Sequence, residues 1–140
     1  MSAERVFVDT NVLLYAYDRM GGSKRERARE RLSALWEEDR GALSLQVLQE
    51  FFQNCVRKLS EPNALALARE ALTLYRPWLR GPTTLDTVLR ATQLMELARL
   101  SFWDALIVAS AAEAGAATLL TEDLSHGQVI AGVRIENPFR

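Results

Sequence analysis

The chain has 140 residues and a single cysteine, Cys55. This length suits one domain, residues 1–140, and a lone cysteine excludes an intrachain disulfide and fits a reducing, cytoplasmic setting. The 17 basic and 18 acidic residues give a net charge of −1, which excludes an argument from bulk positive charge to nucleic-acid binding. No apolar run approaches the length of a membrane span, and we expect no signal peptide.

The first forty residues predict one short strand and two helices. The apolar run Val6 to Val8 predicts a buried strand, and a short helix through residues 11–17 follows at once. Gly21-Gly22 is expected to break this helix. Ser23 is then expected to cap a long amphipathic helix that ends at Gly41.

The middle of the chain predicts a second strand and two more helices. Residues 42–45 are few enough for a strand, and apolar residues between 47 and 55 then recur at helical spacing. Ser60-Glu61-Pro62 predicts a cap and an early-turn proline for a helix that extends to Tyr75. The connection over residues 77–82 has room for a short strand.

The last third continues the alternation. Thr84 is expected to start a helix that extends to Ala98, and a nearly apolar helix follows from Phe102 to about Ala114, where Gly115 ends it. The remaining predicted elements are a strand at 117–120, a turn at 125–127 and a strand at 133–135. This order predicts an α/β fold with a mainly parallel sheet and helices on both faces.

Four acidic residues fall where such a fold would bring them together. Asp9 follows the first strand, Asp123 follows the strand that ends at Leu120, Asp104 opens the helix leading into that strand, and Glu50 lies early in the helix after the second strand. Because each crossover helix leaves from the carboxyl end of a strand, all four are expected at the edge where open α/β sheets bind ligands.

Each acid also has a local explanation. Asp9 can cap the following helix, and Asp104 lies three residues after Ser101, as in an aspartate variant of the capping box. Asp123 suits a turn, and Glu50 lies outside the main apolar stripe of its helix, as surface glutamates do.

Together the four acids indicate a cation site. Neighbouring carboxylates repel one another unless a cation neutralises them, and the sequence offers no recurring basic partner. Oxygen ligands without His or Cys favour Mg²⁺ or Mn²⁺ over Zn²⁺.

We expect more ordinary roles for the other polar and aromatic residues near these acids. The hydroxyl and amide side chains of Thr10, Asn11, Ser101 and Thr121 can orient carboxylates or waters, although capping and turn formation are their ordinary roles. His126, the only histidine, is expected to be exposed in its turn. Phe102 and Trp103 are expected to pack in the core rather than stack on nucleic-acid bases.

A cluster of basic residues lies in the second helix, at positions 24, 25, 27, 29 and 31. Glu26 and Glu30 interrupt it. We interpret it as a solvated helix face with acid–base pairs at helical spacing, in preference to an RNA-contact patch.

Four stretches around the acids match a known family. The chain resembles PIN-domain ribonucleases, and in particular the toxin component of VapBC-type toxin–antitoxin pairs, in the segments VFVDTNVLLYA (6–16), LQVLQEFF (45–52), LSFWDALIVA (100–109) and LLTEDLSHGQ (119–128). Any one segment alone is weak evidence for the family, but four segments in the same order are specific evidence for it. The resemblance extends from near the N-terminus to residues 137–139.

The resemblance implies a three-layer α/β/α domain that cleaves RNA with Mg²⁺ or Mn²⁺, forms homodimers and is inhibited by a cognate antitoxin. It makes Asp9, Glu50, Asp104 and Asp123 the acidic quartet, which would serve as metal ligands and catalytic groups. Thr121 corresponds to the small hydroxyl residue that often precedes the last acid. Glu122 adjoins Asp123, so either side chain is able to face the metal, and the motif favours Asp123.

The amphipathic helices give a separate reason to expect a dimer. Residues 51, 52, 65 and 72 belong to two helices that carry more apolar surface than one small domain would cover.

Two other functions compete with metal-assisted RNA hydrolysis. One is a non-catalytic metal- or RNA-binding module, which an intact quartet argues against. The other is phosphoryl transfer through an aspartyl phosphate at Asp9. That chemistry needs a second aspartate two residues on or a lysine near the last strand, whereas the chain has Asn11 and a C-terminal half without lysine.

Overall fold

The computed structural model of the chain describes residues 4–59 and 61–140, which form five strands and six α-helices. The strands are β1 (Arg5–Val8), β2 (Gly41–Ala42), β3 (Ala116–Leu120), β4 (Val129–Ile130) and β5 (Val133–Glu136). The helices are α1 (Thr10–Tyr17), α2 (Ser23–Glu37), α3 (Leu45–Lys58), α4 (Ala64–Leu74), α5 (Leu85–Ala98) and α6 (Phe102–Glu113), and a 3₁₀ turn spans Arg76–Trp78.

The strands form one mainly parallel sheet in the order β2-β1-β3-β5-β4. Strand β1 runs parallel to β2 and β3, and β3 runs parallel to β5. Helices α1 to α4 pack against one another, and α5 packs on α6. The predicted α/β class with a central, mainly parallel sheet between helices is therefore confirmed.

The antiparallel edge strand β4 was not predicted. It pairs with β5 across a two-residue turn in which Ala131 and Gly132 both have positive φ angles, 53° and 79°. Such a turn matches the twist of a two-stranded hairpin. Two residues are too few to show the alternation by which a strand is recognised in a sequence.

Several predicted boundaries around the second strand were wrong. Helix α2 ends at Glu37 rather than Gly41, and β2 covers only Gly41–Ala42 because the Ser44 hydroxyl accepts a hydrogen bond from the Val47 backbone N–H and starts α3. An isolated parallel bridge between Leu43 and Leu79 supplies the short strand-like contact expected over residues 77–82.

Helix caps account for the other differences. Ser23 is the first residue of α2 and not its cap, a position that Gly22 takes without a side-chain hydrogen bond. The predicted cap Ser60 lies outside the described residues, and Asn63 occupies the cap position of α4. The predicted start of α5 is confirmed, because Thr84 and Thr87 form a reciprocal capping box.

The core lies between the sheet and both helix groups. Strands β1 and β3 contribute Phe7, Val8, Leu119 and Leu120, and α6 is buried over residues 105–111. Phe51 is fully buried beneath α1, which removes it from the apolar surface that was expected to support a dimer. None of the helices in residues 4–59 and 61–140 has the length and apolar character that crossing a membrane requires.

Candidate active site

Asp9 lies directly beyond β1 and is held on both carboxylate oxygens. Its Oδ1 accepts a hydrogen bond from the Thr10 backbone N–H at 2.7 Å, and its Oδ2 accepts one from the Thr121 hydroxyl at 2.9 Å. The side chain is only 7% exposed. Asp9 therefore caps α1, as the local explanation proposed, and it is also a buried carboxylate fixed at the carboxyl edge of the sheet.

Burial raises the pKa of Asp9 from 3.8 to about 6. The hydrogen bonds from Thr10 and Thr121 lower the pKa, and the negative charges of Asp123 and Glu50 raise it. The burial effect is the largest of these. The folded chain thus holds this carboxylate where a proton or a cation is needed to stabilise it.

Asp123 and Asp9 are linked through Thr121. The Thr121 hydroxyl accepts a hydrogen bond from the Asp123 backbone N–H at 3.1 Å while it donates to Asp9. Asn11 donates its side-chain amide to the Asp123 carboxylate at 2.9 Å. The pKa of Asp123 is raised, first by partial burial and next by the charge of Asp104. Asn11 and Thr121 therefore orient the carboxylates, as the sequence indicated.

Glu50 reaches the same region from α3. Its Oε1 accepts a hydrogen bond from the Gln46 side-chain amide at 2.7 Å, and its Oε2 accepts one from the Thr10 hydroxyl at 3.4 Å. The charge of Glu50 raises the pKa of both Asp9 and Asp123. Thr10 thus contacts two carboxylates, one through its backbone and one through its hydroxyl.

Asp104 lies in the first turn of α6. The Ser101 hydroxyl accepts a hydrogen bond from the Asp104 backbone N–H at 3.2 Å and caps the helix. Ser101 is therefore a helix cap rather than a group that orients carboxylates. The Asp104 carboxylate lines the same cleft as the other three acids.

All four predicted acids line one cleft of about 360 Å³. The sequence reasoning missed three α3 residues on its wall besides Glu50, namely Gln46, Asn54 and Lys58. Positions 46, 50, 54 and 58 are spaced by four, so they share one face of a helix. That spacing is visible in the sequence and would have identified them.

Glu122 has partners of its own. It accepts a hydrogen bond from the Tyr15 hydroxyl at 2.8 Å and forms an ion pair with Lys24 at 2.9 Å. Lys24 also lies 4.9 Å from the centre of the Tyr15 ring. Glu122 lines the cleft but already has Lys24 as a cationic partner, which favours Asp123 as the fourth acid of the quartet.

Two expectations about aromatic and imidazole side chains had different outcomes. Trp103 is 62% exposed and lines the cleft, so its expected place in the core was wrong, whereas Phe102 packs against the core. The exposed turn predicted for His126 is confirmed. Its Nδ1 accepts a hydrogen bond from the Asn137 backbone N–H at 3.0 Å.

The basic residues of α2 bind other elements instead of pairing along the helix. Arg31 pairs with Glu136 of β5 at 3.3 Å, and Arg29 donates to the Ala16 carbonyl at 2.8 Å. With Lys24 on Glu122, these contacts fasten α2 to the rest of the fold. The predicted acid–base partners were therefore wrong, because the residues that face α2 provide carboxylates and carbonyls.

The carboxylates do not form a closed cage. Within residues 4–59 and 61–140, no three His, Cys, Asp or Glu side chains are arranged to hold one metal ion. Mg²⁺ nevertheless keeps several waters and is usually bound by one or two carboxylates together with substrate phosphates. Four carboxylates along an open cleft fit that kind of ion, and they do not fit a structural metal enclosed by protein ligands.

The chain also matches a known protein family over most of its length. The PIN domain family matches residues 6–129. The chain belongs to the PIN-domain family. No curated protein sequence matches the chain significantly.

Solved structures share the fold across most of the chain. A toxin–antitoxin complex from Klebsiella pneumoniae is 22% identical with a TM-score of 0.69, and the match covers 95% of this chain and 97% of that one. DNA-bound VapBC from Salmonella typhimurium is 20% identical with a TM-score of 0.66, covering 97% and 99%. Mycobacterium tuberculosis VapC20, a sarcin–ricin-loop-cleaving toxin, is 24% identical with a TM-score of 0.60, covering 81% and 86%.

Proposed function

We propose that this PIN domain is a Mg²⁺- or Mn²⁺-dependent endoribonuclease with Asp9, Glu50, Asp104 and Asp123 as its acidic quartet. The observation that carries the proposal is the convergence of four carboxylates, from four separate parts of the chain, in one cleft at the carboxyl edge of the sheet. The raised pKa of Asp9 supports it, since a buried and repelled carboxylate is a group that a divalent cation would stabilise.

The quartet would hold the cation. A divalent ion bound there would supply a water of lowered pKa and offset negative charge on the scissile phosphate. Asp9 and Asp104 approach from the end of β1 and the start of α6, and we expect them to be the principal ligands. One of the four carboxylates would also accept the proton of the attacking water.

The neighbouring residues keep the carboxylates in position before substrate binds. Thr10 and Thr121 hold Asp9, Asn11 holds Asp123, and Gln46 holds Glu50. Such fixed hydrogen bonds reduce the reorganisation that accompanies reaction. The exposed Lys58 on the cleft wall is suited to contact a substrate phosphate.

We further propose that the chain is the toxin of a toxin–antitoxin pair, that it binds a small cognate antitoxin, and that it forms homodimers. Membership of the PIN family and a shared fold with the Klebsiella complex, with VapBC and with VapC20 support this. Cellular RNA is the proposed substrate.

Metal-dependent cleavage of RNA tests the enzymatic proposal. Purified protein should cut RNA with Mg²⁺ or Mn²⁺ and lose this activity with a chelator. Asp9→Asn and Asp104→Asn should each abolish cleavage, whereas Glu50→Gln and Asp123→Asn should weaken it. Asp39→Asn is a matched control, because Asp39 is exposed at a positive φ that asparagine tolerates.

The fold of each variant must be checked by circular dichroism. A folded Asp104→Asn protein that cuts RNA as fast as the native chain would disprove the mechanism. A native protein that binds RNA in Mg²⁺ but never cuts it would support a non-catalytic binding module instead.

The toxin proposal has its own test in cells. Producing the native chain should arrest growth, and producing Asp104→Asn should not. Co-production of the small protein encoded beside the gene should relieve the arrest and purify with the chain. Growth arrest that persists with the neighbouring protein present would refute the pairing.

A further inference from the structure

Trp103 is an aromatic side chain exposed in a polar cleft. It precedes Asp104 in the first turn of α6, and both side chains line the cleft. Because both residues line this cleft, the indole shares it with one member of the acidic quartet. A tryptophan that is 62% exposed contributes little to the core, so its aromatic face is available to a ligand in the cleft.

The ring is held in place although it is exposed. Phe102 and Trp103 form an edge-to-face pair with ring centres 5.0 Å apart and planes at 73°. Phe102 itself packs against the core. The pair limits the motion of the indole, so stacking on it would cost less side-chain entropy than stacking on a freely rotating ring.

The other partly exposed tryptophan has a different environment. Trp36 is 42% exposed but packs against the rings of Tyr75 and Trp78, with ring centres 5.8 and 5.4 Å away. It belongs to an aromatic cluster on a cleft that contains none of the four acids. Trp36 therefore provides a matched control for Trp103.

The same cleft supplies the other groups that a nucleotide needs. Lys58 and Asn54 on α3 line it together with Trp103. A cation suits a phosphate, an amide suits the edge of a base, and an aromatic face suits the face of a base. A cleft that joins these groups to the acidic quartet has the chemistry of a nucleotide site beside a cation site.

We propose that Trp103 is the stacking platform for one base of a single-stranded RNA, in a nucleotide adjacent to the scissile phosphate, with Lys58 contacting a neighbouring phosphate. This inference rests on the proposed function and names the part of the substrate that Trp103 binds. A base paired within a duplex has no free face, so the platform selects single-stranded segments and loops.

Binding to a labelled single-stranded oligoribonucleotide tests the proposal. Affinity is measured by fluorescence anisotropy in Mg²⁺ with Asp9→Asn as the background, so that the RNA stays intact. Trp103→Ala should weaken binding on the order of 5- to 100-fold. Trp103→Phe should retain most of the affinity, whereas Trp103→Leu, equally apolar but without an aromatic face, should not. Trp36→Phe should leave the affinity for the oligoribonucleotide unchanged. Equal affinity of the Phe, Leu and Ala variants would overturn the proposal.

Abasic substitutions locate the stacked base. When single bases of the oligonucleotide are removed in turn, one position should lose as much affinity as Trp103→Ala, and the two changes together should cost no more than either alone. Strict additivity at every position would overturn the proposal, because it would mean that no base contacts the ring.

Cleavage kinetics separate this inference from the proposed function. In the active protein, Trp103→Ala should raise KM and change kcat little, since stacking is expected to be equal in the ground and transition states. If the native protein cuts RNA and Trp103→Ala cuts every tested sequence with the same kcat and KM, the proposed function stands and the platform is refuted. If the native protein neither binds nor cuts RNA, both are refuted.

Discussion

Asp9 shows how one residue can serve both the fold and the site. Its oxygens cap α1 through Thr10 and accept the Thr121 hydroxyl, yet it is almost fully buried near two other carboxylates. Burial raises the pKa of Asp9 to about 6, so its charge opposes folding at neutral pH when no cation is bound. The proposed cation site would therefore come at a cost in stability, a pattern common in binding sites.

This pKa shift predicts a stabilising mutation. Because the pKa of Asp9 is higher in the folded chain than in the unfolded chain, protonation of Asp9 stabilises the fold. This stabilisation is complete below pH 3.8 and is lost as the pH rises through about 6. At pH 7 in a chelator, Asp9→Asn should therefore raise the free energy of unfolding by about 1–3 kcal/mol, allowing for weaker hydrogen bonds in the neutral side chain. Urea denaturation at several pH values measures this.

The advantage of the variant should disappear as pH falls from 6 towards 4, where native Asp9 is protonated too. Saturating Mg²⁺ should reverse the order at pH 7, since it binds only the native quartet tightly. An Asp9→Asn protein that is less stable than native in chelator at pH 7 would contradict the role of burial.

Thr121 is the residue on which the positions of Asp9 and Asp123 depend. Thr121→Val keeps the shape but removes the hydroxyl that donates to Asp9, and that bond lowers the Asp9 pKa. The pKa of Asp9, followed by carbon NMR of the labelled carboxylate, should rise further in this variant. Thr121→Ser should restore it. An unchanged pKa in the folded Val variant would show that the hydroxyl does not hold the carboxylate.

Among the secondary-structure elements, the ends of β1 and β3, the starts of α1 and α6 and one face of α3 form the candidate site. These ends are fixed by strand pairing, as when the Asp9 backbone N–H donates to the Leu120 carbonyl at 3.0 Å. The acids are therefore carried by rigid elements, and a local change in one cap should affect stability before it affects chemistry.

The cap of α6 tests that relation. Ser101→Ala removes the hydroxyl that accepts the Asp104 backbone N–H and should cost about 1 kcal/mol of stability, measured by urea denaturation. Ser101→Asp should recover most of this loss. A loss of stability well above about 1 kcal/mol would mean that Ser101 stabilises more of the fold than the start of α6.

Strand β2 depends on the absence of a side chain at Gly41. A Cβ there would overlap the six-membered ring of Trp78, which is buried and packed on Trp36 and Tyr75. Gly41→Ala should therefore destabilise the protein by about 1–3 kcal/mol, as judged from thermal or urea unfolding. Gly81→Ala is a comparison variant, because a Cβ at Gly81 would contact no other atom. The positive φ of Gly81 would still add some strain.

Of the four apolar residues that supported the predicted dimer, the one on the surface of the folded chain is Leu65 on α4. Leu65 is half exposed, whereas Phe51 is core and Phe52 and Leu72 are half-buried. We predict a dimer by light scattering at tens of micromolar and a shift towards monomer for Leu65→Lys. Met20→Lys, which changes an exposed residue elsewhere, should remain dimeric. A native chain that stays monomeric at this concentration would refute the dimer.

The amino-acid sequence alone is enough to predict the class of fold and the positions of the four acids within it. Short apolar runs, helix periodicity and caps such as Thr84 are local signals, because each depends on neighbours within one or two turns. The rule that crossover helices leave from the carboxyl ends of parallel strands then carries Asp9, Asp104 and Asp123 to one edge without further information. Their assignment as ligands remains a prediction.

Which side chains meet across that edge depends on tertiary packing and could not be predicted from the sequence. Glu122 pairs with Lys24, 98 residues away in sequence, Thr121 links two aspartates, and Trp103 turns to the cleft rather than the core. The physical reason is that burial and hydrogen bonding depend on what packs opposite a residue. For Glu122 and Asp9 that partner lies on an element distant in sequence, which no local pattern predicts.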